Sequence, residues 1–324
     1  MMKIDAVITW VDGNDPRHKA KREQYGGDGN IFKSDDCAGV SRFDNMGEIF
    51  WCVASINRFA PWINKIYIVT DEQDPGLEMF LEEHFTEGYI PVEIVDHKVI
   101  YEGYEEYIPT FNSISLETMT WRIPGLSDYF IEFNDDLVLL DNVQPTDFFT
   151  HDGKVVCYAT KANMLWARFT RKLKCKINGR TPVTFKGVMV NAARIAGLVN
   201  FFLKLDHTPK GLSRIFYEKC FGENKELMKR NISHRFRNAT QFTPQELQYA
   251  TMYKEGMCEV RPVKGNLFFL QPKNREGYVQ RKLAKLAKMK SCKFGCLNSL
   301  NLASKEDQKL IIDTILQRIG IKLQ

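Results

Sequence analysis

The sequence lacks any apolar run long enough to cross a bilayer. Its longest apolar run, residues 195–205, is interrupted by Asn200 and Lys204 and falls well short of the roughly 20 residues that a membrane span needs. The N-terminus, Met-Met-Lys-Ile-Asp, also lacks the apolar stretch and small-residue cleavage site of a secretory signal peptide. Together these absences predict a cytoplasmic protein without a transmembrane helix.

Cysteine is sparse and scattered, with eight residues in 324. Cys292 and Cys296 are close together, but no second pair at zinc-site spacing accompanies them, so we do not predict a zinc site. In a reducing compartment the cysteines are expected to remain thiols. Proline and glycine are too few for a collagen-like or low-complexity chain, and the 44% of hydrophobic residues is typical of a globular protein.

Several common catalytic motifs are missing as well. We find no Gly-x-Gly-x-x-Gly fingerprint, no Gly-Lys-Ser/Thr phosphate loop, no Gly-x-Ser-x-Gly elbow and no His-Glu-x-x-His helix. These absences weigh against dinucleotide-dependent oxidoreductases, P-loop nucleotidases, α/β-hydrolases and the common zinc proteases.

The net charge of +5 is small but unevenly distributed. Residues 161–237 carry eighteen Lys and Arg against four Asp and Glu, whereas acidic residues dominate residues 71–106. A basic stretch of this kind suits a nucleic acid, a phosphorylated substrate or an anionic membrane surface, but it also occurs as a plain solvated face. Charge alone does not decide between these alternatives.

The first half of the chain alternates strand and helix patterns. Apolar, β-branched runs at residues 4–10, 65–70, 92–95 and 129–133 predict strands, and helical spacing occurs between them. Such alternation predicts an α/β fold with a mostly parallel sheet flanked by helices, in which ligands bind beyond the carboxyl ends of the strands. Because Asp12, Asp71 and Asp135 each follow a predicted strand, we expect them at one edge of the sheet.

The second half is predicted to be mainly helical. Helical patterns cover residues 191–205, 213–221, 244–254, 278–289 and 305–319. We expect three segments: an α/β half at 1–150, a basic helical half at 151–270, and a C-terminal helical segment at 271–324 that packs on the core.

Two features outside this pattern could carry chemistry. Neighbouring carboxylates at Asp135 and Asp136 could hold a divalent cation against a diphosphate, although two solvated acids in a turn are an equally good explanation. His207 follows a predicted helix and precedes a Pro-Lys-Gly turn. A lone histidine is usually structural, so a role for His207 needs a second line of support.

Four blocks of sequence, in order, resemble the Stealth family of sugar-1-phosphate transferases. The first is Ile-Asp-Ala-Val-Ile-Thr-Trp-Val-Asp-Gly at 4–13, and the third is Leu-Asp-His-Thr-Pro at 205–209 with His-Arg-Phe-Arg at 234–237. The fourth is Lys-Phe-Gly-Cys-Leu-Asn at 293–298. The second and most specific block comprises residues 42–48, 60–71, 108–113, 117, 122–127 and 133–136.

The chain departs from the family pattern at Ile114, where His is common, and at Ser299, where Asp is common.

The resemblance implies a Rossmann-like nucleotide-sugar transferase core and a reaction. Hexose 1-phosphate or N-acetylhexosamine 1-phosphate would pass from a UDP-sugar to a hydroxyl of a glycan in capsular or cell-surface polysaccharide synthesis. A phosphodiester would form and UMP would leave. Peripheral association with the inner face of the membrane is also expected, whereas nucleic acid is not an expected partner. The alternatives are a metal-dependent glycosyltransferase that releases UDP and a non-catalytic module that binds glycan or nucleotide.

The resemblance also implies roles for particular residues. His207 would handle the acceptor proton, Arg237 would grip the phosphate, and Asp135 and Asp136 would hold Mg²⁺ or position the acceptor hydroxyl. The expected substrate-binding residues are Asp12, Arg42, Asn112, Ser113, Glu117, Asn134 and Arg235. For Asn112 and Glu117 the structural alternative is that they cap and brace a loop, and for Arg42 it is a surface ion pair.

Overall fold

A five-stranded sheet organises the fold of the chain, which the computed structural model describes at residues 2–26, 46–178, 183–289 and 291–321. Its strands are β1 (Ile4–Thr9), β2 (Ile66–Thr70), β3 (Val92–Asp96), β4 (Tyr129–Asn134) and β8 (Lys210–Ser213), in the spatial order β3-β2-β1-β4-β8. The first four strands are parallel, and β8 lies antiparallel to β4 at the edge.

Helices in the first half connect these strands. They are α1 (Pro16–Tyr25), α2 (Glu48–Phe59), α3 (Leu77–His84), α4 (His97–Ile100) and α5 (Ser113–Glu117). In α2 the residues Ile49, Cys52, Val53 and Ile56 share one face at helical spacing and are fully buried, which makes this helix a central element of the core.

A second, three-stranded sheet packs behind α2. It consists of β5 (Leu137–Leu139), β10 (Leu267–Leu270) and β11 (Phe294–Leu297), in the order β10-β11-β5. Two C-terminal helices, α11 (Tyr278–Lys288) and α12 (Lys305–Ile319), cover it with a separate apolar cluster.

A third sheet has the order β7-β6-β9 and is formed by β6 (Val155–Asn163), β7 (Phe201–Leu205) and β9 (Cys258–Arg261). Around it and the edge strand β8 lie the remaining helices of the described chain, namely α6 (Met164–Asn178), α7 (Phe185–Ile195), α8 (Arg214–Glu223), α9 (Lys225–Ile232) and α10 (Pro244–Lys254).

The α/β fold with a parallel sheet and flanking helices is confirmed, but one predicted helix is wrong. Residues 191–205 do not form a single helix, because α7 ends at Ile195, Gly197 adopts a positive φ of 80°, and the chain continues as β7. His207 therefore follows a strand. The second half was predicted to be mainly helical, and its six strands, β6 to β11, were not predicted.

Strands from all three predicted segments pair with one another. β8 joins the main sheet beside β4, and β11 pairs with β5. The proposed boundaries near residues 150 and 270 stay predictions. Within the described ranges, no helix combines the length and apolar character that crossing a membrane would require.

Candidate active site

The carboxyl ends of β1 and β4 form the floor of a cavity of about 520 Å³. The two strands are parallel, with Thr9 opposite Asn134, so the residues that follow each strand meet at one edge of the main sheet. Because β2 lies parallel on the other side of β1, Asp12, Asp71 and Asp135 all follow neighbouring strands at this edge, as predicted.

Four further segments contribute to the walls of the cavity: the start of α5, the connection between β7 and β8, the loop after α9 and the turn after β11. Eight of the predicted site residues line it, namely Asn112, Ser113, Glu117, Asn134, Asp135, Asp136, His207 and Arg237. All four predicted catalytic residues therefore share one cavity, although they come from three distant parts of the chain.

Asp135 and Asp136 retain some surface toward the cavity but are closely surrounded by protein. Burial, followed by the charges of Asp136 and Glu48, raises the pKa of Asp135 to about 8. Burial also raises the pKa of Asp136, against the opposing effect of hydrogen bonds from Asn298 Nδ2 (3.4 Å) and Cys296 Sγ (3.6 Å) to its Oδ2. The fourth block of sequence thus supports Asp136 from the adjoining turn.

His207 presents its imidazole to the cavity between two aromatic rings. Its ring centroid lies 5.1 Å from that of Phe269 and 6.2 Å from that of Phe185. Desolvation, followed by the nearby ammonium of Lys210, lowers the pKa of His207, while the charge of Asp136 acts in the opposite direction. The imidazole is therefore neutral at pH 7 and able to accept a proton.

Lys210 fixes the turn that carries His207. Its Nζ donates hydrogen bonds to the carbonyl oxygens of Asp206 and Thr208, and to Thr208 Oγ1 at 3.2 Å. Burial lowers the pKa of Lys210 to about 8. Since Lys210 lies opposite Glu132 in the β4–β8 register, the turn is attached directly to the main sheet.

Arg237 reaches the cavity from the loop after α9, where its Nη2 donates a 2.8 Å hydrogen bond to Ser113 Oγ. Asn112, which precedes Ser113, caps α5 by accepting a hydrogen bond from the Ile114 N–H at 3.2 Å. Its Nδ2 donates to the His234 carbonyl at 2.9 Å. Asn112 thus joins the two segments of the wall, while its predicted role in substrate binding stays a prediction.

Glu117 and Glu132 both accept hydrogen bonds from the side-chain amide of Gln245 at the base of the cavity. Gln245 Nε2 donates to Glu117 Oε2 at 2.9 Å and also to Glu132 Oε1. Burial, and then the charge of Glu117, raises the pKa of Glu132 well above its ordinary value. Ionisation of Glu132 is therefore disfavoured, which eases its position beside a second carboxyl group.

The two departures from the family pattern also line the cavity. Ile114 is only 2% exposed, so an apolar group stands at that point of the wall. Ser299 adopts a left-handed φ of 55° and donates a 2.8 Å hydrogen bond to Asn298 Oδ1. Ser299 therefore holds the side chain that contacts Asp136.

Three predicted binding residues do not belong to the described lining of the cavity. Asp12 stabilises its own loop, since its Oδ1 accepts a hydrogen bond from the Asn14 N–H at 2.9 Å. Arg235 donates to the carbonyl oxygens of Pro109 and Glu106, each at 3.1 Å. Arg42 lies outside the described residues.

The carboxylate pair fits a divalent cation. No group of three or more His, Cys, Asp or Glu side chains suited to a metal ion occurs in the described part of the chain. Mg²⁺, however, commonly takes one or two protein carboxylates and completes its shell with water and substrate phosphates. Asp135 and Asp136 offer such a pair. Burial, followed by the charges of Asp136 and Glu48, raises the pKa of Asp135, and a cation would offset this effect by favouring the ionised carboxylate.

Sequence reasoning missed three residues of the site: Lys210, Glu132 and Gln245. A usable signal existed for Glu132, because it is the one charged residue in the apolar strand β4, and a charge in a buried strand marks a polar site. Gln245 gave no comparable signal, since its partners Glu117 and Glu132 are distant in sequence. Lys210 bonds within its own turn, and a single lysine in a turn is not a distinctive signal.

Two family profiles match the first half of the chain. The family profile described as "Stealth protein CR1, conserved region 1" matches residues 2–29, and "Stealth protein CR2, conserved region 2" matches residues 42–157. These ranges contain the first and second blocks identified in the sequence. The third and fourth blocks lie outside both ranges, so the roles of His207 and Arg237 stay predictions.

The chain is also similar to individual proteins, one of them a curated bacterial relative and another a solved glycosyltransferase structure. The receptor polysaccharide phosphotransferase WefC of Streptococcus oralis is 40% identical over 153 residues, which cover 47% of this chain and 43% of the relative, less than half of its length. The galactosyltransferase LgtC, solved with donor and acceptor sugar analogues, has a TM-score of 0.47 and 8% identity, over 98% of this chain and 95% of that chain.

A longer match settles the family. The capsular polysaccharide phosphotransferase fcs1 of Haemophilus influenzae is 30% identical over 293 residues, which cover 87% of this chain and 74% of the relative. Together with the two profile matches, this similarity shows that the chain belongs to the Stealth family.

Proposed function

We propose that this protein transfers hexose 1-phosphate or N-acetylhexosamine 1-phosphate from a UDP-sugar to a glycan hydroxyl during synthesis of a capsular or other cell-surface polysaccharide. The observation that carries the proposal is that a carboxylate pair, an imidazole and a guanidinium line one cavity. The names of the relatives, which are polysaccharide phosphotransferases, support the same chemistry. The cytoplasmic location stays a prediction.

The reaction balances as a displacement at the β-phosphorus of the donor. A bond forms between the acceptor oxygen and this phosphorus, and the bond from the phosphorus to the oxygen that bridges the two phosphates breaks. UMP leaves with the bridging oxygen, and the acceptor hydroxyl gives up its proton. The protein must therefore accept one proton and stabilise the charge on the phosphoryl oxygens.

His207 is the residue suited to accept the proton. Its lowered pKa keeps the ring neutral at pH 7, and its position between two aromatic rings fixes the plane of the imidazole. Lys210 holds the turn below it, so the nitrogen that accepts the proton keeps one position relative to the carboxylates. General base catalysis by a positioned histidine contributes about 10²–10⁴-fold to a rate.

Arg237 is the residue suited to bind the phosphoryl oxygens. Its guanidinium is a planar fork that can donate two parallel hydrogen bonds, and one of its arms already bonds to Ser113. Ser113 thereby sets the orientation of the fork within the cavity.

Asp135 and Asp136 would hold the divalent cation beside the diphosphate. When bound, such a cation offsets the negative charge of the phosphates as a Lewis acid. Asn298 and Cys296 keep the Asp136 carboxyl group in place. Burial raises the pKa of both Asp135 and Asp136, and a bound cation would favour their ionised forms.

A panel of UDP-sugars tests the proposal when it is incubated with the protein, Mg²⁺ and a polysaccharide acceptor. Release of UMP would support sugar-phosphate transfer, whereas release of UDP would identify a glycosyltransferase. Donor binding without release of either nucleotide would indicate a binding module. His207→Gln is the matched control for contaminating nucleotidases, because it should abolish UMP release.

A further inference from the structure

Helix α6 exposes a continuous apolar stripe. Leu165 and Trp166 are each 62% exposed, Phe169 is 59% exposed and Leu173 is 48% exposed. Their spacing places them within about one quarter of the helix circumference. The rings of Trp166 and Phe169 stack on each other at 5.9 Å between centroids, which gives the stripe an aromatic centre.

The same helix is strongly basic. Residues 164–178 contain five Lys and Arg and no acidic residue. Arg168, Lys172 and Lys176 are exposed. Helical spacing places Arg168 and Lys172 along one border of the apolar stripe and Lys176 beyond its C-terminal end. An exposed stripe of Trp, Phe and Leu bordered by Lys and Arg is typical of a helix that lies in the interface of an anionic membrane.

We propose that α6 docks this protein on an anionic lipid surface. The stripe of Leu165, Trp166, Phe169 and Leu173 would enter the boundary between headgroups and acyl chains, and the bordering cations would contact lipid phosphates. A second copy of the chain is a poorer occupant, because symmetric pairing of α6 would bring the exposed cations Arg168, Lys172 and Lys176 close to the same three cations of the other copy.

Docking through α6 would hold the active-site wall near the lipid surface. Arg171 of α6 donates from Nη2 to the Ala239 carbonyl at 2.7 Å, in the loop that carries Arg237. The proposal is independent of the proposed function, since it concerns binding alone.

Sedimentation with lipid vesicles tests the proposal on the full chain. One set of vesicles is phosphatidylcholine alone and the other contains about one third phosphatidylglycerol. The full chain should bind the anionic vesicles, bind neutral vesicles at least about tenfold more weakly, and lose affinity as salt is raised.

Two double substitutions in α6 test whether this helix is responsible for vesicle binding. Trp166→Ser with Phe169→Ser should weaken binding by at least about tenfold, and Lys172→Gln with Lys176→Gln by roughly tenfold. The matched controls are Met79→Ser with Leu302→Ser, which are 81% and 61% exposed, and the exposed pair Lys305→Gln with Lys309→Gln. Both controls should bind like the unchanged protein, and circular dichroism melting checks that every variant is folded.

Three results would overturn the proposal. The first is equal binding of the unchanged protein to both kinds of vesicle, or to neither. The second is full binding by folded Trp166→Ser with Phe169→Ser. The third is a dimer, seen by analytical ultracentrifugation, that this double variant abolishes while vesicle binding is absent, since a second copy would then cover the stripe.

Discussion

Arg237 donates a hydrogen bond of 2.8 Å to Ser113, a residue 124 positions earlier in the chain. The contact depends on two loops that hold each other. Ser115 Oγ donates to the carbonyl oxygens of Asn231 and His234, and Asn112 bonds to His234 as well. The loop that carries Arg237 is therefore fixed against the start of α5, and the guanidinium meets the cavity in one orientation.

Arg237→Lys should lower kcat/KM for the donor by at least about tenfold, because an ammonium keeps the charge but loses the two-armed geometry. Steady-state kinetics with varied UDP-sugar measure the effect. Arg235→Lys is the matched control two residues away, and its activity should stay near that of the unchanged protein, since Arg235 bonds to carbonyl oxygens away from the described lining. Equal losses in both variants would contradict the role given to Arg237.

His207→Gln should reduce kcat by about 10²–10⁴-fold while the Kd for the UDP-sugar changes little, because glutamine keeps polarity but cannot accept the proton. Kinetics and calorimetric binding separate the two effects. The control is His151→Gln, which alters an exposed turn. A folded His207→Gln protein with unchanged kcat would show that the histidine is structural.

The pH dependence of the reaction should reflect the environment of His207. Desolvation, followed by the charge of Lys210, lowers the pKa of His207 from its ordinary value of 6.5. The imidazole of His207 therefore remains mainly neutral when the pH falls to 6.5. At saturating Mg²⁺, which keeps the carboxylates of Asp135 and Asp136 ionised, the acid limb of kcat/KM should accordingly lie below pH 6.5. A limb centred above pH 7 would contradict this assignment.

Removal of divalent cations should abolish turnover, and added Mg²⁺ should restore it. Asp135→Asn and Asp136→Asn should each weaken the Mg²⁺ dependence of donor binding measured by calorimetry, because each removes a charged oxygen ligand. Asp313→Asn, at an exposed position of α12, is the matched control. Full activity in excess EDTA would remove the cation from the mechanism.

Acid should destabilise the fold through His97, which is 2% exposed and has no hydrogen-bond partner at either ring nitrogen among the described residues. Burial lowers its pKa to about 4, whereas the unfolded chain restores 6.5. The unfolded state therefore binds more protons between these values, and the free energy of unfolding should fall by about 3 kcal/mol as pH drops from 6.5 to 4. Urea unfolding of His97→Gln should show a smaller fall over this window; an identical fall would contradict the assignment.

Strong local patterns predicted much of the fold. The apolar runs before Asp12, Asp71 and Asp135 are strands of one parallel sheet, and the predicted helix at 305–319 has the observed bounds. These elements were predictable because apolar periodicity, turn residues and caps lie within the element itself. Ser304, for example, caps α12 by accepting a hydrogen bond from the Asp307 N–H.

The missed strands depend on distant partners. The sequence pattern predicts a helix through the residues of β7, because an apolar run without alternation fits a helix and a strand equally well. Its strand conformation comes from antiparallel pairing with β6, which lies about 40 residues earlier and was not itself predicted.

The candidate site also contains some residues that the sequence indicated and others that only the structure revealed. Asp135 was singled out by its place after a strand, the roles of His207 and Arg237 were implied by the family resemblance, and the fold brings all three to one cavity. Gln245 contacts Glu117 and Glu132, which lie more than 110 positions earlier in the chain, so no local pattern indicates it. The sequence therefore indicated candidate reacting groups, whose roles stay predictions, while the contacts that position them required the structure.

The fate of the β-phosphorus tests the proposed reaction most directly. A UDP-sugar labelled with radioactive phosphorus at the β-position is incubated with the protein, Mg²⁺ and acceptor polysaccharide, and the nucleotide and polymer are separated. Sugar-phosphate transfer predicts that the label appears in the polymer, that unlabelled UMP is released in equal amount, and that His207→Gln prevents both. Labelled UDP with an unlabelled, sugar-extended polymer would contradict the proposal and identify a glycosyltransferase.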